Sequence, residues 1–269
     1  FLEGGYTKRE TGEHREILQI RDLCLQHGEQ QPLLQNINLS IHSGEVLGLA
    51  GIDGNGQGEL VEVLVGIRRQ TAGEIMFRGE NLSHLSVRKR WEKGVAYVPS
   101  DRHQDGLIMD ADITSNFALR TYYRPPYSKR HILQFQQLQR NAREQVDAYQ
   151  VKIPSLSARV RVLSGGNQQK LILARELQAQ GDLIIACQPT RGLDIGATEY
   201  LRQRLLERRN QGKSVMLVST DLCEILALSD RIAVIHGGRI MGIVQNTPDL
   251  SVELLGLMMG GVPLEEART

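Results

Sequence analysis

The sequence predicts an α/β fold on a parallel sheet, split by a mostly helical insertion. Three observations predict it. Short apolar runs alternate with helical periodicity toward both ends, one run passes through a glycine-rich loop into a helix, and the middle turns long and polar. Strands are expected at Ile17–Leu25, Ile37–Ile41 and Val46–Ala50, each bounded by Gly, Gln or Ser-containing turns. Residues 51–58, Gly-Ile-Asp-Gly-Asn-Gly-Gln-Gly, then lead into a helix over Glu59–Ile67, where Leu60, Val61, Val63, Leu64 and Ile67 have helical spacing. Short strands at Glu74–Phe77 and Val95–Pro99 precede the insertion, whose clearest helix is the Gln- and Arg-rich run 129–150. Alternation resumes with strand Leu183–Cys187, a helix near Ala197–Arg209, strand Ser214–Ser219 and a helix from Asp221, which is βαβ texture. Residues 231–244 read as a hairpin about Gly237-Gly238. The domain expectation is a tail or linker at 1–15, a core of 16–100 and 181–269, and a helical subdomain at 101–180.

Composition bounds the partners. The chain has 269 residues, 41% hydrophobic and 23% charged, which suffices for a buried core without staples. Lys plus Arg number 32 against 31 Asp plus Glu, so a net charge of +1 offers no general attraction to nucleic acid or to an anionic membrane. Cys24, Cys187 and Cys223 form no CxxC pair and are odd in number, which argues against a disulfide framework or a cysteine metal site and fits a reducing, cytosolic setting. No uncharged apolar stretch approaches the roughly 18 residues that cross a bilayer, and the polar opening is not a signal peptide. A start at Phe1 fits either a processed product or a piece of something longer.

The most specific string is Leu163-Ser164-Gly165-Gly166-Asn167-Gln168-Gln169-Lys170. Ser164 is a good N-cap, Leu171, Ala174 and Leu177 recur on one helix face, and the free N–H groups of such a start make an anion site that glycines let a phosphate approach. This string resembles the signature motif of the ABC ATPases, and motifs in that family's order cover residues 17 to about 245. Gly51–Gly58 stands at Walker A, Pro99-Ser100-Asp101-Arg102 at the Q-loop, Leu183–Gln188 at Walker B, Arg191-Gly192-Leu193-Asp194 at the D-loop, and Ser219-Thr220-Asp221 at the switch histidine. The finer wording is similar to the C-terminal cassette of bacterial importers for simple sugars and nucleosides, in which two cassettes share one polypeptide. The resemblance implies a P-loop NTPase (RecA-like) core with an N-terminal antiparallel β subdomain, the signature motif in the helical subdomain, and a peripheral place on the cytoplasmic face of the inner membrane.

The departures from the family pattern matter as much. A working P-loop needs Lys on the β and γ phosphates and Ser or Thr on Mg²⁺, but Gln57 and Gly58 stand there. Losing an opposite charge about 4 Å away removes about 4 kcal/mol at an effective dielectric near 20. Cys187 and Gln188 replace the metal Asp and the Glu that orients or deprotonates water, Thr220 replaces the switch histidine and Ser100 the Q-loop glutamine. The expected cofactor pattern follows: Mg²⁺ binds poorly here, and Gly51, Gly54, Asn55, Gly56, Gln57, Gly58 and Glu59 keep only a backbone nest. Weak phosphate binding there and none at all fit the residues equally. The signature residues Leu163–Gln168 are intact. The resemblance therefore implies that they close over ATP held by a second cassette, with Asp194 helping to set that ATP's attacking water, and that a transmembrane permease docks on the region Met109–Pro126.

Plainer readings accompany each feature. Cys187 is an inert core residue rather than a redox sensor, His103 a loop contact rather than a metal ligand, and His236 a hairpin residue. His27 falls near the family's adenine-stacking position. The run His131–Arg143 is a solvated helix face rather than an RNA surface. Two other functions compete: an ATPase with unusual side chains, opposed by Gln57 and Gln188, and a soluble ABC clamp for DNA, opposed by the lack of coiled-coil heptads and of a basic stripe.

Overall fold

In a computed structural model the described residues are 15–26, 28, 32–178 and 181–268. His27 and most of the expected tail lie outside them. Strand β1 (Glu16–Leu25) pairs antiparallel with β2 (Leu34–His42), its inward side chains Leu18, Ile20, Leu23 and Leu25 buried. Strand β3 (Val46–Ala50) is buried at every residue, as a central strand of a covered sheet must be. It runs through the glycine loop into α1 (Gln57–Val65). Then come β4 (Ala72–Phe77), β5 (Glu80–Asn81), α2 (Val87–Lys93) and β6 (Val95–Val98).

The insertion holds a π-helical turn, Arg102–Gly106, then α3 (Ile113–Ala118), β7 (Ser128–Lys129), β8 (Ile132–Leu133), α4 (Phe135–Ala148) and α5 (Gly165–Leu177). One expectation needs correcting here. The helix expected over 129–150 starts only at Phe135, because Ser128–Leu133 form a small hairpin whose turn residues Arg130 and His131 have φ of 49° and 67°. The turn chemistry at Arg130-His131 overrides the polar helix-like composition. The chain continues through β9 (Leu183–Cys187), α6 (Ile195–Asn210), β10 (Ser214–Ser219), α7 (Leu222–Leu228), β11 (Arg231–His236), β12 (Arg239–Gln245), α8 (Val252–Met259) and α9 (Leu264–Ala267).

Two compact units result. The first comprises Phe1–Tyr97, Gly181–Gln188 and Arg202–Thr269; the second comprises Val98–Gln180 and Pro189–Leu201, the latter a stretch that strand–helix texture alone places with the core. Sheet order is β12-β11-β3-β10-β9-β6, with β3, β10, β9 and β11 parallel and β12 antiparallel, beside a four-stranded sheet β2-β1-β4-β5. Leu47, Leu49, Leu60, Leu64, Ile185 and Met216 join Ile20, Ile37 and Ile41 in one core, each full burial contributing about 1.5–3 kcal/mol. The topology delivers the ends of β3, β9 and β10 to one edge, since Ser219 pairs with Ala50 and Val218 with Cys187. In open α/β sheets the carboxyl ends of strands are where ligands bind.

Candidate nucleotide site

At that edge the glycine loop is occupied by its own side chain. Gln57, only 7% exposed, turns back so that Nε2 donates to the Ile52 carbonyl at 3.0 Å and Oε1 accepts from the Asn55 amide at 3.2 Å. Gly51 has to be glycine for this, because a Cβ there would lie 2.5 Å from Gln57 Nε2 and 2.7 Å from the Ile235 carbonyl. Gly54 and Gly56 take φ of 86° and 107°, which shapes the loop into the expected concavity. Asn55 fastens its tip: Oδ1 accepts from Gly237 N and the main-chain oxygen from Gly238 N, both at 2.9 Å, so the hairpin turn holds the loop. Gly58 is exposed with open space beside it, and Glu59 follows in the first turn of α1.

The ends of β9 and β10 meet in a second closed pair. Gln188 Nε2 donates to Thr220 Oγ1 at 3.1 Å, and that hydroxyl stands 3.4 Å from Gln188 Oε1. Gln188 adopts φ of 43°, an uncommon left-handed conformation for a non-glycine residue, with its amide bonded to the Val218 carbonyl at 2.7 Å. Beside it Cys187 is buried, and burial pushes its thiol up to about 12. Such a group is neither a thiolate nor a redox centre at neutral pH. Among the described residues no group of three His, Cys, Asp or Glu converges as a metal site.

In the second unit, Ser164 stands at the N-cap of α5, with a correction to its role. Its side chain caps no backbone amide; its Oγ accepts instead from Asn167 Nδ2 at 2.9 Å, while Asn167 Oδ1 takes the Lys152 amide at 2.8 Å. Ser164 is exposed, Gly165 and Gly166 are half-buried, and Leu163 is buried. Gln168 faces inward, 5% exposed, with Nε2 on the Leu163 carbonyl at 3.1 Å and Oε1 3.2 Å from His103 Nε2. Leu171, Ala174 and Leu177 anchor the helix in the unit's core. Asp194 is exposed and starts α6, its Oδ1 accepting from Ala197 N at 2.8 Å. Ser100, also in this unit, is exposed. His236 ends β11 with Nδ1 2.9 Å from the Met259 carbonyl. The self-filling of the loop by Gln57 and the Gln188–Thr220 pair escape sequence reasoning, because both depend on rotamers that only packing selects.

The fold and the order of its loops define an α/β P-loop domain of the ATP-binding-cassette class, with an antiparallel β subdomain. The chain belongs to the ABC transporter family, whose model matches residues 34–191. It is 43% identical over 91% of its length to the nucleoside import ATP-binding protein NupA of Lactococcus lactis subsp. cremoris, and 42% identical over 97% to the guanosine import ATP-binding protein NupO of Bacillus subtilis. It spans about half of these relatives, 48% and 51% of their lengths. A nucleotide-free ATP-binding cassette from an ABC transporter superposes with a TM-score of 0.74 at 17% identity, covering 94% of this chain and 99% of that one. A dimeric cassette bound to ADP and Pi gives 0.72 at 22% identity, covering 86% and 99%. These two likenesses show the fold alone. No helix among the described residues is long and apolar enough to cross a membrane.

Proposed function

We propose that this chain is the non-hydrolysing cassette of an ATP-driven importer of nucleosides or simple sugars, and that it completes an ATP site held mainly by a second cassette. The observation that carries the reading is the contrast between its two surfaces. At its own site, the Gln57 side chain is bonded within the glycine loop, to the Ile52 carbonyl and the Asn55 amide, and Gln188 and Thr220 bond each other. At the signature helix, by contrast, Ser164 is exposed, and so are two large apolar residues, Val162 just ahead of it at 60% and Ile195 at the start of α6 at 80%. Single exposed apolar residues are ordinary, but one at the start of each of two helices that begin close together, α5 and α6, suits a surface that a neighbour covers.

The residues at the metal position do not fit Mg²⁺. Gly58 offers no side chain, Cys187 a buried protonated thiol, and Gln188 an amide engaged with Thr220, whereas magnesium wants hard oxygen ligands, usually carboxylates. No general base stands at the end of β9 either. The second cassette belongs to the same polypeptide in this reading, which the half-length match to the nucleoside importers supports. A permease docks on the insertion at the cytoplasmic face of the membrane. A groove of about 250 Å³ lined by Thr114, Ala118, Leu119, Tyr122, Leu133 and Phe135 supports that docking, with Phe135 66% and Tyr122 41% exposed.

The test is Ser164→Arg in the complete transporter. ATPase activity is expected to vanish although Ser164 lies on the silent half. Activity equal to the unmodified transporter would show that this helix start faces no nucleotide.

A further inference from the structure

Between β6 and α3, the segment Ser100–Leu107 makes contacts that lead to both ends of the lent surface. Asp101 pins the turn by accepting from the His103 and Gln104 amides at 2.8 and 3.0 Å, and His103 anchors it to Gln168 of α5. So held, Arg102 lies across the first residue of α5: its Nη2 is 3.2 Å and its Cζ 3.6 Å from where a Cβ on Gly165 would stand. The same guanidinium donates from Nη1 to the Arg191 carbonyl at 3.2 Å, in the turn that leads to Asp194, and its Nη2 passes 3.8 Å from the Cβ position of Gly192. Alongside, a Cβ on Gly166 would meet Ala197 Cβ at 3.0 Å and Asp194 Oδ2 at 3.7 Å, so α5 and α6 begin in direct contact.

Stability does not account for this placement. Arg102 Nε is buried without a hydrogen-bond partner, and a cation at a helix N-terminus opposes the dipole. What the fork does achieve is to span two backbone segments at once, which a lysine's single ammonium cannot reproduce.

We propose that Arg102 is a positioning residue: it holds the Asp194 turn against the signature helix so that the two parts lent to a second cassette's ATP act as one edge. This rests on the reading that the edge faces nucleotide.

The experiment is a double-mutant cycle in the complete transporter, using Mg-ATP and steady-state hydrolysis. Arg102→Met is expected to lower kcat roughly 10- to 100-fold with KM for ATP little changed, the signature of displaced catalytic geometry. Arg102→Lys is expected to fall similarly, and it carries the same test if the methionine variant does not assemble. Adding Asp194→Ala to either is expected to lower kcat little further, because both changes release the same turn. Unchanged kcat, losses that multiply fully, or a raised KM at constant kcat would each overturn the role, the last by making Arg102 a direct nucleotide contact. Ser164→Arg separates the two claims. If it leaves activity intact the underlying reading fails; if it abolishes activity while Arg102→Met does not lower kcat, only the role of Arg102 fails.

Discussion

A phosphate entering the glycine loop has to displace the Gln57 carboxamide from Ile52 and Asn55, each such bond contributing about 1 kcal/mol net. It then meets a neutral amide where a cation would add roughly 4 kcal/mol, so affinity falls by about a thousandfold from the missing charge alone. The pair Gln188–Thr220 acts on water in the same way, since neither side chain accepts a proton near neutral pH and each already has a partner. Asp101 makes a different prediction at this scale. The amides of Gln104 and then His103 hold its carboxyl below the ordinary carboxylate range. A lowered folded-state value means that its capping contribution is complete above the unfolded carboxylate range and is lost as pH falls through the folded value. The stability difference between the native chain and Asp101→Ala should therefore persist at neutral pH and shrink below about pH 4, as read by urea unfolding at a series of pH values. A difference that grows on acidification would contradict the cap.

Among elements, α1 carries the loop, and its far end is closed by a side chain from α2. Arg90, 2% exposed, donates to the carbonyls of Val63 and Leu64 in the last turn at 2.6 and 2.8 Å, and to those of Leu85 and Ser83 at 3.0 and 3.2 Å. A cation there complements the helix dipole, and four main-chain carbonyls, three of them in buried bonds, depend on it. Arg90→Met should destabilise the chain by about 3 kcal/mol or more, visible as a lower urea midpoint at unchanged m. A loss below about 0.5 kcal/mol, the range of ordinary surface changes, would mean that water replaces the guanidinium freely. Sequence hides this residue inside the charged run Arg88-Lys89-Arg90; only the phase of α2 buries one of the three. The same kind of blindness explains the helix expected over 129–150. Arg130 and His131 can occupy left-handed turn positions that composition does not mark, whereas the apolar runs of β3, β9 and β10 admit one arrangement and are found within a residue.

For the whole molecule, motif order was enough to reach the family and the α/β cassette fold, because glycine loops, the signature string and strand ends recur at fixed places along such a chain. The identities at positions 57, 58, 187, 188 and 220 were equally legible; what those side chains do with one another was not. Geometry adds that in one compact unit Gln57 is bonded to its own loop and Gln188 to Thr220, while in the other Ser164 and the Asp194 turn stand exposed, with Arg102 between the start of α5 and that turn. The central claim is that the chain's own site performs no hydrolysis. It is tested most directly by steady-state Mg-ATP hydrolysis with the purified chain, alone and as Gln57→Lys. The account predicts no turnover above background for either, since a restored lysine leaves the metal and water positions without ligand or base. Turnover on the order of one per second by the unmodified chain, a rate typical of working enzymes, would contradict it.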